Sequence, residues 1–157
     1  MSEQCIDHVI CTVRGGPESR CTVTRAIELT LACQGRLTFF HVMDAEFLEH
    51  ATVAPLSVVY HELIEMGKFA MLILCDRARR RGVEQVDYVL REGNIRRQIA
   101  IFARETDAKV MVMGEPTRSP GHNVFKADEY ERYVAELAEE VNLRIVQVTP
   151  EPADTAA

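Results

Sequence analysis

The sequence lacks any apolar run that approaches the roughly 20 residues needed to span a bilayer. It also lacks an apolar leader, because Met1-Ser2-Glu3-Gln4 is polar and acidic. Its five cysteines are odd in number and never form a CxxC pair, which indicates reduced thiols rather than a disulfide framework. The formal net charge of -6 gives no electrostatic case for binding nucleic acid or an anionic membrane surface. We therefore expect a soluble cytoplasmic protein with neither nucleic acid nor membrane as a partner.

Sequence motifs of common catalytic sites are also missing. No GxGxxG follows the first predicted strand, and neither a GxxxxGK phosphate loop nor a GxSxG nucleophile turn occurs. The segment His61-Glu62-Leu63-Ile64-Glu65 begins like a zinc-protease helix but carries Glu65 where the second histidine is needed. The sequence therefore offers no catalytic residue and no metal ligands, and we predict that the protein is not an enzyme.

The pattern that is present starts from a strand, turn, helix and strand between residues 89 and 114. Gly93-Asn94 forms the turn, and the helix after it places Ile95, Ile99 and Phe102 on one face. The apolar run Val110-Met111-Val112-Met113 is too short for a helix and is typical of a strand buried on both faces of a parallel sheet. This unit predicts a right-handed crossover between two parallel strands.

The rest of the chain repeats this alternation, with five predicted strands and four predicted helices. The strands are Val9 to Val13, Leu37 to Val42, one within Val83 to Arg91, Val110 to Met113, and Leu143 to Val148. The helix between Pro55 and Gly82 is predicted to bury Leu56, Val59, Leu63, Met66, Ala70 and Ile73. Such alternation predicts a single α/β domain over residues 1–149, an open Rossmann-like parallel sheet with helices on both faces, and a flexible tail over 150–157. Ligands of these sheets bind at the carboxyl ends of the strands, here in the loops after strands one and four.

Several short segments resemble the universal stress protein family. They are Phe39-Phe40-His41-Val42, Arg91-Glu92-Gly93-Asn94-Ile95, Asp107 through Gly114, and Leu143 through Val148. The resemblance covers about residues 7 to 149 and implies strand order 3-2-1-4-5 and a homodimer paired through the last strand. Ile145 and Val148 are the candidates for that pairing, because an apolar edge strand is a liability unless it is covered.

Many members of the family bind ATP through an Asp after strand one and a glycine motif after strand four. The motif is Gly, two residues, Gly, nine residues, Gly and then Ser or Thr, which lets backbone N–H groups approach phosphate. This chain keeps Gly114 but has Thr117 for the second glycine, Ala127-Asp128 for the last pair, and Arg14 for the Asp. Asp128, with Glu131 three residues later, predicts a carboxylate at the N-cap of the fourth helix, where phosphate would bind. Glu129 adds a second negative charge at the same helix end, and both charges would repel phosphate. Standard ATP binding is therefore disfavoured.

The resemblance and its altered motif together predict a non-catalytic, regulatory stress-response protein that binds a protein partner or a small anion. We expect no tightly bound cofactor. Arg14, Arg118 and the backbone of Gly15-Gly16 form a candidate anion site at the strand ends. The simpler interpretation of the same residues is two solvated arginines on loops. The alternative function is ATP or adenine-nucleotide binding through a non-standard loop in which Gly121 replaces the missing glycine, with slow ATP hydrolysis at most. The candidate ligand-binding residues are Val13, Arg14, Gly15, Val42, Gly114, Thr117, Arg118, Ser119 and Gly121.

Overall fold

The computed structural model describes residues 6–14, 19–44, 56–115 and 127–149. The elements follow in the order β1 (His8–Thr12), α1 (Ser19–Cys33), β2 (Arg36–Met43), α2 (Leu56–Arg80), β3 (Gln85–Glu92), α3 (Ile95–Glu105), β4 (Val110–Gly114), α4 (Ala127–Val141) and β5 (Arg144–Val148). All strand pairs are parallel, and their order across the sheet is β3-β2-β1-β4-β5. The predicted fold class and strand order are confirmed. The predicted tail over 150–157 lies outside the described residues.

Two apolar layers lie on opposite faces of the sheet, because successive side chains of a strand point in opposite directions. On one face, Val9 and Cys11 of β1 pack with residues of α1 and α2. On the other face, Ile10 of β1 packs with residues of α3 and α4, including Tyr130. β1 is almost wholly buried, which explains why it reads as a continuous apolar run.

The turn before α3 forms as the sequence predicts. Gly93 has φ 127°, a conformation that residues with a Cβ rarely adopt, and its N–H donates to Met43 O at 3.0 Å. Asn94 is the N-cap of α3, and its side-chain oxygen accepts a hydrogen bond from Arg97 N at 3.1 Å. The turn therefore fixes both the end of β3 and the direction of α3.

The buried face of α2 differs from the predicted one. Met66 and Ile73, predicted to be buried, are 66% and 52% exposed, whereas Met71, Cys75 and Ala78 are buried against the sheet. The reason is that α2 carries apolar residues around most of its circumference, so periodicity alone does not select one face. The helix instead approaches the sheet along Gly67, where an added Cβ would lie 3.3 Å from Leu90 Cδ1.

None of the helices in the part of the chain that the structure describes is both long and apolar enough to cross a membrane.

Candidate functional site

The carboxyl ends of β1, β2 and β4 meet at one edge of the sheet. β1 pairs with β2 on one side and with β4 on the other. From β1, the strands β2 and β3 follow toward one edge of the sheet, and β4 and β5 follow toward the other. This is the topological switch point at which such sheets bind ligands. Four predicted site residues, Val13, Arg14, Val42 and Gly114, lie at this edge. The other five, Gly15, Thr117, Arg118, Ser119 and Gly121, lie outside the described residues.

Both backbone groups of Val13 already have partners within the protein. Its N–H donates to Phe40 O at 2.9 Å. Its carbonyl oxygen lies 2.7 Å from His41 Nδ1, and because a carbonyl only accepts, Nδ1 carries the proton and donates it. Both polar backbone groups of Val13 are therefore engaged within the protein at the end of β1. His41 lies at the same edge but was absent from the predicted set, since the sequence does not indicate that its ring contacts β1.

Arg14 is exposed immediately after β1, and its charge acts on a tyrosine from α4. Burial raises the pKa of Tyr130 to about 12, with Arg14 lowering it and the nearby Glu115 carboxylate raising it. Tyr130 is only 2% exposed, so a buried, neutral phenol lies within electrostatic reach of the exposed Arg14. No local pattern in the sequence indicates that Tyr130 approaches Arg14, because this proximity depends on the packing of α4.

Gly114 ends β4 beside helix α1. A Cβ at this position would lie 2.9 Å from Thr22 Oγ1, closer than real Cβ contacts come. Thr22 is itself buried, so the neighbouring side chain has little room to give way. Packing against α1 is therefore sufficient to require glycine here, with or without a phosphate.

Glu115 adds a carboxylate at the same edge, where the family's glycine motif begins. Its N–H donates to Val148 O at 2.9 Å, and its Oε2 accepts from Thr149 Oγ1 at 3.2 Å. These bonds tie the residue after β4 to the end of β5. Among the described residues, this edge combines the exposed cation of Arg14 with the carboxylate of Glu115 and the neutral phenol of Tyr130.

The start of α4 differs in two ways from the prediction. The helix begins at Ala127, so Asp128 lies inside its first turn rather than at the N-cap. Glu129, expected to repel phosphate, accepts a hydrogen bond from Arg96 Nη2 at 3.1 Å across the α3–α4 contact. Because that pairing compensates part of its charge, Glu129 opposes an anion less than the sequence suggests.

A separate polar cluster lies at the opposite, amino-terminal edge of the sheet. His8 Nε2 lies 2.7 Å from Thr38 Oγ1, which in turn donates to Asp87 Oδ1 at 2.6 Å. His8 Nδ1 has Arg36 Nη2 at 3.0 Å and Asp107 Oδ1 at 3.3 Å. No three His, Cys, Asp or Glu side chains within the described ranges are arranged to hold a metal ion.

The fold is that of a Rossmann-like α/β protein, and the candidate site lies at its switch point. Residues 6–125 match the universal stress protein family, and the chain belongs to that family. Among functionally curated proteins, no match was found.

Solved structures of the family share this fold at low sequence identity. A universal stress protein from Lactobacillus plantarum is 15% identical with a TM-score of 0.71, over 91% of this chain and 97% of that one. A universal stress protein in complex with cAMP is 16% identical with a TM-score of 0.61, over 94% of this chain and 99% of that one. One from Archaeoglobus fulgidus in complex with dAMP is 14% identical with a TM-score of 0.59, over 90% and 96% of the two chains.

Proposed function

We propose that this protein is a non-catalytic regulatory member of the universal stress protein family that binds a small anion at Arg14 and acts as a homodimer. The observation that carries the proposal is the exposed guanidinium of Arg14 at the end of β1, where ATP-binding members of the family carry an Asp. A guanidinium presents several N–H donors in a fixed plane, which suits a carboxylate, phosphate or sulfate group. The neutral phenol of Tyr130 near it adds no competing charge.

Three features argue against the standard binding of ATP. Gly114 is accounted for by the 2.9 Å approach of Thr22, so its presence is no sign of a phosphate loop. Thr117 and Asp128 stand where the family motif has glycine and a hydroxyl residue. Glu115 also places a carboxylate beside Gly114, which disfavours the dense negative charge of a triphosphate.

The homodimer follows from the position of β5. β5 is the last strand of the sheet and pairs with β4 on one side only. Ile145, Val146 and Val148 are each only partly buried within the protomer. A second β5 across a twofold axis would pair the open edge and cover these side chains.

A second candidate function is binding of an adenine nucleotide through a non-standard loop after β4. The solved relatives in complex with cAMP and dAMP favour it, since both ligands carry a single phosphate. The single charge of one guanidinium is better matched to one phosphate group than to the three phosphate groups of ATP. In this case the adenosine moiety would occupy the switch point and the phosphate would meet Arg14.

Titration calorimetry separates these functions. Inorganic phosphate, cAMP and ATP with magnesium are titrated into the wild-type protein, into Arg14→Gln, and into Arg25→Gln as a control for loss of an exposed arginine on α1. The anion function predicts binding of phosphate that weakens about tenfold in Arg14→Gln, as expected for losing a charge-assisted hydrogen bond, and stays unchanged in Arg25→Gln.

The nucleotide function predicts that cAMP binds at least about tenfold more tightly than phosphate, with the same dependence on Arg14. Micromolar binding of ATP that is indifferent to Arg14→Gln would contradict both functions. An assay for released phosphate in the same samples tests the absence of catalysis.

A further inference from the structure

Helix α2 presents an apolar surface to solvent. Six large hydrophobic side chains are exposed in the described part of the chain, and five of them belong to α2. The five are Val58, Met66, Phe69, Leu72 and Ile73, each 52–66% exposed. The opposite side of the same helix buries Met71, Cys75 and Ala78 against the sheet. A helix that is apolar on both sides needs an explanation beyond the packing of its own domain.

Four of these residues form one stripe, which we call the outer stripe of α2 (Met66, Phe69, Leu72 and Ile73). Met66, Phe69 and Ile73 follow one another at spacings of three and four residues, the repeat that lines up side chains along a helix facing a partner helix. Leu72 lies on one flank of that line, and Val58 lies about two turns before Met66. Met66 to Ile73 therefore form one continuous apolar surface.

Charged residues bracket the outer stripe with opposite signs. Glu62 precedes it and Arg80 follows it, and both are exposed. They are 18 residues apart, which is five helical turns at 3.6 residues each, so they lie on the same line of the helix about 27 Å from each other. Phe69 and Ile73 stand symmetrically about the midpoint between them. Arg80 forms an exposed ion pair with Asp76 of its own helix, with Nε and Oδ2 2.9 Å apart.

We propose that the outer stripe of α2 is a self-association surface, occupied by α2 of a second copy of this chain in antiparallel orientation. A twofold axis midway between Glu62 and Arg80 would place Glu62 of one copy opposite Arg80 of the other, twice in each pair. The two Phe69 and two Ile73 side chains would interdigitate around the axis. A parallel arrangement would instead set Glu62 against Glu62, so the charges select the antiparallel one.

This surface is distinct from the edge of β5. α2 packs on β2 and β3, and β3 and β5 are the two opposite edges of the sheet. Two isologous interfaces on opposite sides of one protomer generate a tetramer when the operators close. The inference is independent of what binds at Arg14.

A charge exchange tests the proposal. Sedimentation equilibrium is measured in a Gln147→Pro background, which removes a donor from the open edge of β5 and weakens association through that edge, so that changes on α2 report on the α2 surface. Glu62→Arg and Arg80→Glu are each expected to weaken association at least about tenfold. Each change places like charges at positions 62 and 80 opposite each other, twice in the antiparallel pair, so that they repel. The chain carrying both changes is expected to recover to within about threefold of the parent.

Recovery in the double variant can arise only from contact between two chains, because Glu62 and Arg80 are too far apart to touch within one helix. Phe69→Glu is expected to abolish association, and Leu31→Glu, which alters the exposed apolar side chain outside α2, to leave it unchanged. Circular dichroism checks that each variant is folded.

Three outcomes would overturn the proposal. The first is a monomer at about 200 µM in the Gln147→Pro background, well above the concentration at which a weak specific dimer forms. The second is a double exchange that fails to recover. The third is a Phe69→Glu variant that loses stability but not association, which would mean that the chain's own residues cover the stripe.

Discussion

Thr22 Oγ1 lies 2.9 Å from the point where a Cβ on Gly114 would be, so helix α1 and strand β4 approach each other through a glycine. Thr22 is 3% exposed and cannot swing into solvent. The first glycine of the family's nucleotide motif is therefore held by packing in this protein. The presence of Gly114 is therefore explained by the fold, without reference to a nucleotide.

Gly114→Ala is expected to lower the free energy of unfolding by about 1–3 kcal/mol, the usual cost of overpacking a buried contact. Urea denaturation measures it. Thr22→Ala in the same chain is expected to recover most of the loss, because it removes the oxygen that the new Cβ meets. Thr22→Ser keeps that oxygen and is expected to recover less. A Gly114→Ala variant of unchanged stability that loses only ligand binding would contradict the packing account.

The network around His8 predicts a dependence of stability on pH. Thr38 donates its proton to Asp87, so His8 Nε2 donates to Thr38, and neutral Nδ1 accepts from Arg36. Burial lowers the pKa of His8 below its ordinary value of 6.5, and the charge of Arg36 lowers it further, against the raising effect of Asp107. Protonation would put a proton on the nitrogen that Arg36 faces.

Because the folded-state pKa of His8 is depressed, the unfolded chain binds more protons in this range. The resulting stability is fully present above about pH 6.5 and is lost as the pH falls below it, with a slope of at most about 1.4 kcal/mol per pH unit. His8→Gln is expected to flatten urea-derived stability between about pH 6.5 and 5. His61→Gln, which changes an exposed histidine of α2, is the control. An unchanged slope in His8→Gln would contradict this assignment.

Sequence reasoning predicted the elements well because each one carries its own local signal. The buried apolar run of β4 and the Gly93-Asn94 turn are examples, and both are confirmed. It failed on α2, where Met66 and Ile73 fit an apolar stripe as well as the residues that are buried. The face was decided by the fit of Gly67 against Leu90, a contact between elements that no local pattern encodes.

For the candidate site, the sequence predicts Arg14 and Gly114 because they flank predicted strands at the switch point, and this remains a prediction. It does not indicate that Glu115 and Tyr130 lie near Arg14, since that proximity depends on how α4 packs on the sheet. The pairing of Glu129 with Arg96 was missed for the same reason, because it joins two helices.

The hydrogen-bonding pattern of β5 predicts how proline substitutions in this strand affect the proposed β5 dimer. Arg144 N–H donates to Lys109 O and Val148 O accepts from Glu115 N–H, both at 2.9 Å. Backbone groups alternate along a strand, so those of Ile145 and Gln147 point away from β4. Gln147→Pro therefore removes only an outward donor, and it is expected to weaken the proposed β5 dimer while leaving the fold intact.

Val146→Pro is the matched change on the side facing β4. It is expected to destabilise the protomer by about 3 kcal/mol or more, because it removes a hydrogen bond within the sheet. Light scattering reports the mass and circular dichroism the fold. A Gln147→Pro protein whose dimer is as tight as that of the wild type would contradict pairing through the edge of β5.

The N-cap of α3 gives a local test of the turn that organises the centre of the chain. Asn94→Ala is expected to lower the free energy of unfolding by about 1 kcal/mol, because Arg97 N–H loses its acceptor. Asn94→Ser, which keeps a side-chain oxygen, is expected to retain most of the stability. Thermal denaturation measures both. Equal losses in the two variants would show that the cap hydrogen bond is not what stabilises the start of α3.

Native mass spectrometry of the protein, purified without added nucleotide and sprayed from a volatile buffer, tests the central claim most directly. It reads the assembly and any bound small molecule in one spectrum. The account predicts an assembly built from dimers whose protomers carry no ATP, and a mass shift matching a small anion that disappears in Arg14→Gln. One adenosine triphosphate per protomer, retained in Arg14→Gln, would contradict it.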